Sequence, residues 1–239
     1  MAKSSIEWTE ETWNPVTGCD KVSPGCDNCY AERLAKRLHA MGNPRYENGF
    51  KLTLHPDKLA EPLKWRSPRV VFVNSMSDLF HPEVPESFIW SLVETVEAAP
   101  QHTFQVLTKR PQRAVQVFDG HRLPDNFWMG TSIENDRYVF RADYLRKIDV
   151  GTRFLSCEPL IGPLPSLDLT GIGWVIVGGE SGPNHRPIED GWVRHIRDLS
   201  QRKRVPFFFK QWGGHTPKAG GRDLDGRTWD EMPNGVEVR

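Results

Sequence analysis

Residues 174–180 read WVIVGGE. Four apolar residues run together without a polar break, and two glycines and a carboxylate follow at once. A strand with one face in water alternates apolar and polar residues. A continuous run suits a strand covered on both faces, as in a parallel sheet flanked by helices. Five other stretches have the same form: VVFVN (70–74), FQVLT (104–108), FWMGTS (127–132), RFLSC (153–157) and PFFFK (206–210). SIEW (5–8) reads as a first strand.

Helical patterns lie between these runs. AERLAKRLHAM follows the third cysteine with Leu34 and Leu38 four apart, opposite Lys and Arg. PESFIWSLVETVEAA (85–99) sets Phe88, Leu92 and Val96 on one face, and Pro85 suits a first turn. DRYVFRADYLRKI (136–148) and GWVRHIRDLSQRK (191–203) behave likewise. Strand and helix alternate, which predicts an α/β fold. With 20–35 residues between most strand starts, the expected architecture is a full or partial (β/α) barrel of about six to seven parallel strands. The expected division is a barrel domain at 1–214, with a cysteine-bearing loop at 13–30, and a turn-rich cap or tail at 215–239.

In parallel α/β folds the chemistry gathers where strands end and loops begin. Here those ends are polar: Asn74, Ser75 and Asp78; Lys109 and Arg110; Ser132, Glu134 and Asn135; Glu158; Gly178, Gly179 and Glu180; Lys210 and Gln211. Helix caps account for some of them, since caps favour Ser, Thr, Asp and Asn. They account poorly for Glu158, Glu180 and Lys210, each abutting a run that should be buried, so a polar pocket is expected. Gly178-Gly179 lacks the spacing of a dinucleotide fingerprint, and the chain has no P-loop pattern.

Lys plus Arg and Asp plus Glu both number 31, so no global charge points to nucleic acid or an anionic membrane. The first residues show no secretory signal, and no apolar stretch approaches the ~20 residues of a membrane span. A cytoplasmic protein with no membrane partner is expected.

Three of the four cysteines, Cys19, Cys26 and Cys29, fall within eleven residues. In a reducing compartment such a cluster points to metal or catalysis before a disulfide. A closed zinc site takes four ligands, with His39 or Cys157 as the candidates for the fourth. A [4Fe–4S] cluster held by three thiolates leaves one iron open. Gly18, Pro24 and Gly25 suit a loop wrapped round a bulky inorganic body.

The Cys-x6-Cys-x2-Cys loop resembles that of the radical SAM superfamily. Its first gap is three residues longer than the superfamily's commonest pattern, and Asn28 stands where an aromatic residue is usual, with Tyr30 following the last cysteine. TWNPVTGCDKVSPGCDNCYAERLA, NSMSDLFH, LTKRP, SCEPLIGPL, WVIVGGESGP and FFFKQWGG, in that order, resemble the phage and bacterial three-cysteine-motif family, described as radical-SAM-like. The likeness runs from about Glu7 to Pro233.

The resemblance implies a radical SAM-like barrel and an enzyme with a [4Fe–4S] cluster on Cys19, Cys26 and Cys29 that reductively cleaves S-adenosyl-L-methionine. It implies an electron donor as partner and leaves the substrate open, with a nucleobase or nucleotide as the candidate. It assigns the methionine amino group to Asn74, Ser75 or Asp78, its carboxylate to Lys109 or Arg110, and the ribose to Ser132, Glu134 or Asn135. Gly178 and Gly179 would let backbone approach the cofactor. Glu158, Glu180 and Lys210 would face the substrate, although Glu158 and Lys210 can equally be an ion pair that only holds the barrel mouth. The alternative is a non-catalytic zinc or iron–sulfur accessory protein. A zinc deaminase would need a His-x-Glu and Pro-Cys-x2-Cys signature that is not here.

Overall fold

The computed structural model describes residues 4, 6–233, 236 and 238. Its first strand is β1 (Glu11–Trp13), followed by a small antiparallel ribbon of β2 (Val16–Thr17) and β3 (Thr53–Leu54). Six buried strands complete the main sheet: β4 (Val70–Val73), β5 (Thr103–Thr108), β6 (Phe127–Ser132), β7 (Thr152–Cys157), β8 (Trp174–Gly178) and β9 (Phe207–Gln211). The seven strands lie in chain order, β1-β4-β5-β6-β7-β8-β9, and each neighbouring pair is parallel. Every crossover therefore steps the same way, and the right-handed rule puts all of them on one face. Such a sheet curls into a partial (β/α) barrel. It stays open, because among the described residues β1 and β9 do not pair.

Alternation along each strand sorts its side chains. Val71, Val73, Phe104, Val106, Leu155, Val175, Val177 and Phe209 point outward into the main core beneath the helices. Phe72, Trp128, Phe154, Trp174, Ile176 and Phe208 point into the concavity, where Trp8 joins them. The ring of Trp174 sits 5.6–6.2 Å from those of Trp8, Trp128, Phe154 and Phe208. Both faces are dry, which is why the strands read as unbroken apolar runs.

The helices are α1 (Tyr30–Ala40), α2 (Glu86–Glu97), α3 (Pro111–Val117), α4 (Arg141–Leu145) and α5 (Asp190–Lys203). Phe88, Leu92 and Val96 are the buried stripe of α2, as their spacing predicts. No helix bridges β7 and β8; Leu160, Leu164, Leu167, Leu169 and Ile172 cover that part of the outer face instead. No helix among the described residues is long and apolar enough to cross a membrane.

Three local expectations need correction. In SIEW, Ser5 lies outside the described residues and Trp8 is a plug of the concavity in a turn; the first strand is Glu11–Trp13. That strand is short, sits at the sheet edge and carries Glu11, neutralised by Arg69 at 2.7 Å, so its sequence shows no apolar run. Helix 136–148 breaks into a 3-10 turn at Asp136–Tyr138 and α4. Tyr138, Val139 and Phe140, aromatic and β-branched in succession, are weak helix formers. In α1 the buried residues are Ala31 and Ala35, while Leu34 is exposed, so the helix packs on its small side. KRPQR (109–113) opens α3, with Pro111 at the first helical position.

Near the C-terminus, the Trp229 carbonyl accepts from the amide of Phe209 at 2.9 Å and Asp230 bridges to Phe208. The segment thereby covers the free edge of β9, and Leu224 reaches the main core.

Candidate cofactor site

The cysteine loop leaves β2 and arches over the carboxyl ends of the strands. Its contacts trace the path. Asp20 meets the buried His81, beyond β4, at 2.9 Å, and its carbonyl accepts from Arg110, beyond β5, at 3.4 Å. Ser23 donates to Glu134, beyond β6. The Pro24 carbonyl accepts from Arg186 at 2.7 Å, and Asn28 donates to Glu180, beyond β8, at 2.9 Å. Tyr30, half exposed, then donates its hydroxyl back to the Ser75 carbonyl.

Two buried carboxylates clamp this loop. Glu134 is fully buried and pairs with Arg141 at 2.8 Å; a side chain at position 25 would collide with it, so only glycine fits there. Glu180 accepts from Arg186 at 2.6 Å, and Arg186 also reaches Asp27 at 3.3 Å. Each carboxylate therefore has its arginine and its piece of loop.

The three thiols are free and half-buried, and they share one neighbourhood. Burial pushes the Cys19 thiol up to about 12; Asp78 adds to the effect, Arg110 opposes it, and Cys26 and Cys29 add to it in turn. Cys157 is not with them. It sits in the outer core beneath the helices, where burial pushes its thiol up to about 12. His39 meets the Tyr46 carbonyl at 2.8 Å. Neither candidate for a fourth ligand joins the trio. Among the described residues no three His, Cys, Asp or Glu side chains stand in single-ion coordinating geometry. The donor set beside Cys19 is thus two further thiols, Cys26 and Cys29, with neither His39 nor Cys157 among them.

A family model described as "Protein of unknown function (DUF5131)" matches residues 3–233. The chain belongs to this family. No curated protein matches it. Among solved structures it is similar to spore photoproduct lyase complexed with dinucleoside spore photoproduct, at 15% identity and a TM-score of 0.45. It is also similar to a mutant of that lyase with bound AdoMet and dinucleoside spore photoproduct, at 16% identity and a TM-score of 0.46. These alignments take in 79% and 81% of this chain but only 59% and 60% of those chains.

The other sequence-derived candidates of this DUF5131 chain divide by surroundings. Asn74 has a left-handed φ of 58° and is buried; its Oδ1 accepts from the Val16 amide at 3.2 Å, and its Nδ2 has no hydrogen-bond partner among the described residues. Ser75 donates to Asn14 at 3.1 Å. Asp78 is saturated by the Thr108 hydroxyl at 2.7 Å and by the Phe80 and Lys109 amides, so it braces β4 against β5. Ser132 is buried, its carbonyl accepting from Arg141; Asn135 caps the 3-10 turn through the Arg137 amide. A side chain at Gly179 would collide with the Trp212 carbonyl, so this glycine serves close backbone packing. The missing side chain of Gly178 leaves room for Glu158, which pairs with Lys210 at 2.7 Å across β8. Gln211 bonds Ser181 at 2.9 Å.

The sequence reading missed His81, Arg141 and Arg186. His81 closes the NSMSDLFH stretch and could have been noted there; the arginines carry no signal short of their folded partners. Asn28 is explained by its bonds to Glu180 and, at 2.8 Å, the Asn184 carbonyl.

The Glu180 clamp is pH-sensitive. Burial raises this carboxyl, but hydrogen bonds from Arg186 and Asn28 outweigh it and hold the group below its ordinary 4.5. A value lower in the folded than in the unfolded state adds stability that is complete above pH 4.5 and fades as pH falls through the folded value. The thermal midpoint of the wild type should therefore drop more steeply on acidification than that of Glu180→Gln. Parallel curves would show that the clamp contributes nothing.

Proposed function

We propose that this protein is a radical SAM-like enzyme that binds a [4Fe–4S] cluster through Cys19, Cys26 and Cys29 and reductively cleaves S-adenosyl-L-methionine to modify a nucleobase or nucleotide. The observation that carries the reading is the trio of thiols held over the strand ends with no fourth Cys or His, on a loop anchored by Glu134 and Glu180. When bound, a reduced cluster with one open iron supplies the electron that splits the sulfonium into methionine and a carbon radical.

The residues present fit parts of that task. Asn74, with its unpartnered buried amide, is the best placed at the end of β4 to donate to a bound cofactor, since an orphaned buried donor is costly until it finds an acceptor. Arg110 lies in the electrostatic field of Cys19; its buried Nη1 makes no hydrogen bond and stands 3.9 Å from Asp78, so it could turn to a bound carboxylate only by loosening that pair. Glu158 and Lys210 face the concavity as a pair, each about one-fifth exposed, and can move a proton only if a substrate separates them. The enzyme would draw on an electron donor and work in the cytoplasm. The phage resemblance favours a nucleobase substrate by analogy.

The saturation of Glu134, Glu180 and Glu158 favours one second reading, a non-catalytic metal-binding accessory protein. Purification without oxygen separates the two. The enzyme reading expects brown protein with absorption near ~400 nm that dithionite bleaches, and 5′-deoxyadenosine plus methionine once S-adenosylmethionine is added to the reduced protein. Colourless protein with stoichiometric zinc and no iron would replace it with the second reading.

A further inference from the structure

We propose that the groove between the cysteine loop, α3 and residues 138–141 binds one nucleotide unit, with its phosphate at Lys109 and Arg113 and its base on Phe140. This deepens the proposed function by placing its substrate class, on which it rests for biological role alone; the binding needs neither cluster nor turnover.

The cavity holds about 380 Å³, within the usual span for small-molecule sites and enough for a single nucleotide. Lys109, Arg110, Arg113 and Arg141 line it, and no carboxylate does. Arg141 has its charge met by Glu134, and Arg110 stands 3.9 Å from Asp78. The other two cations are uncompensated. Arg113 donates to the carbonyls of His81 and Val84, which satisfy its N–H groups but not its charge. Lys109 has no hydrogen bond or ion pair at its amine among the described residues, and its amide alone is engaged, by Asp78. The chain is neutral as a whole, so this excess is local, and a lined concavity of one sign concentrates ligands of the other.

The opposite wall is aromatic. Phe140 is 39% exposed, and Tyr138 lies 6.3 Å from it with Arg141 over its ring. Every base has a π-face, so an open ring beside free cations suits a nucleotide better than an inorganic anion or an acidic peptide. Val22, exposed on the cysteine loop, lines the same groove and puts the occupant next to that loop.

Calorimetric titration of the full chain with deoxycytidine and adenosine 5′-monophosphates tests this. Saturable one-to-one binding is expected. Lys109→Gln should weaken it about tenfold, as loss of a charge-assisted contact does. Phe140→Ala should weaken it about tenfold, the usual loss of a stacking platform. Gln116→Glu, which only brings a negative charge to the rim, guards against misfolding and should also weaken it. Deoxycytidine without its phosphate should bind less well. The wild-type chain stripped of metal by chelator should bind as the untreated protein does, so that failure of the cluster leaves this result standing. The proposal is overturned by absent saturation, by wild-type affinity in all three groove variants, or by a single-stranded octanucleotide binding where mononucleotides do not. Displacement by inorganic phosphate at equal affinity would reduce the groove to an anion site. Displacement by S-adenosylmethionine would make it the cofactor pocket, and either result overturns the proposal.

Discussion

Cys26→Ser is expected to leave protein purified without oxygen with almost no iron or sulfide, against a full cluster's complement in the wild type. The serine oxygen is a hard donor, and iron–sulfur clusters are held by thiolates. The substitution itself is mild. Cys26 is half-buried, its sulfur 3.9 Å from the Ser23 hydroxyl, and no apolar core depends on it. Apo wild type and variant should therefore unfold at nearly the same temperature, which separates a lost ligand from a lost fold. Cys157→Ser is the contrasting control. It should keep its iron and lose stability, because its sulfur lies in the outer core. Iron retained by the Cys26 variant would remove the ligand assignment.

The second large effect is expected at Glu134→Ala, with a loss of about 3–5 kcal/mol in chemical denaturation, the usual result of breaking a buried pair from one side. Arg141 is 3% exposed and would be left with a charge and no counterion. Replacing both residues together, by Glu134→Leu and Arg141→Met, should cost much less, since two removed charges leave no orphan. The loop adds a second readout. Glu134 also receives Ser23 and seats Gly25, so the single variant should lose iron faster under chelator than the wild type. A loss below about 1 kcal/mol, typical of solvated pairs, would mean that water reaches the clamp.

The barrel was legible because its strands are buried twice over. A run such as Val70–Val73 has helices on one side and aromatic rings on the other, so both alternating sets must be apolar. Where that condition fails, the reading failed too. Glu11–Trp13 is an edge strand with a charged member, and its partner Arg69 is 58 residues away. The helix expected at 136–148 had the right periodicity but broke at Tyr138–Phe140, where aromatic and β-branched residues follow one another.

For the site, the crowding of thiols and the polarity of strand ends are visible in the chain. The partners of those polar groups are not. Glu180 reads as an open acid beside a glycine pair; in the fold it is closed by Arg186 and by Asn28, which is 152 residues distant. Glu158 could be read as an ion pair or an open acid, and the fold selects the pair with Lys210.

What the sequence by itself determined is the parallel α/β sheet and the gathering of three cysteines ahead of the first long helix, because burial on two faces and local spacing are written in consecutive residues. Only the tertiary structure decided which carboxylates are free and which are spent holding the loop. Charge compensation is a through-space property, and the arginines that supply it reach those acids only once the strands lie side by side.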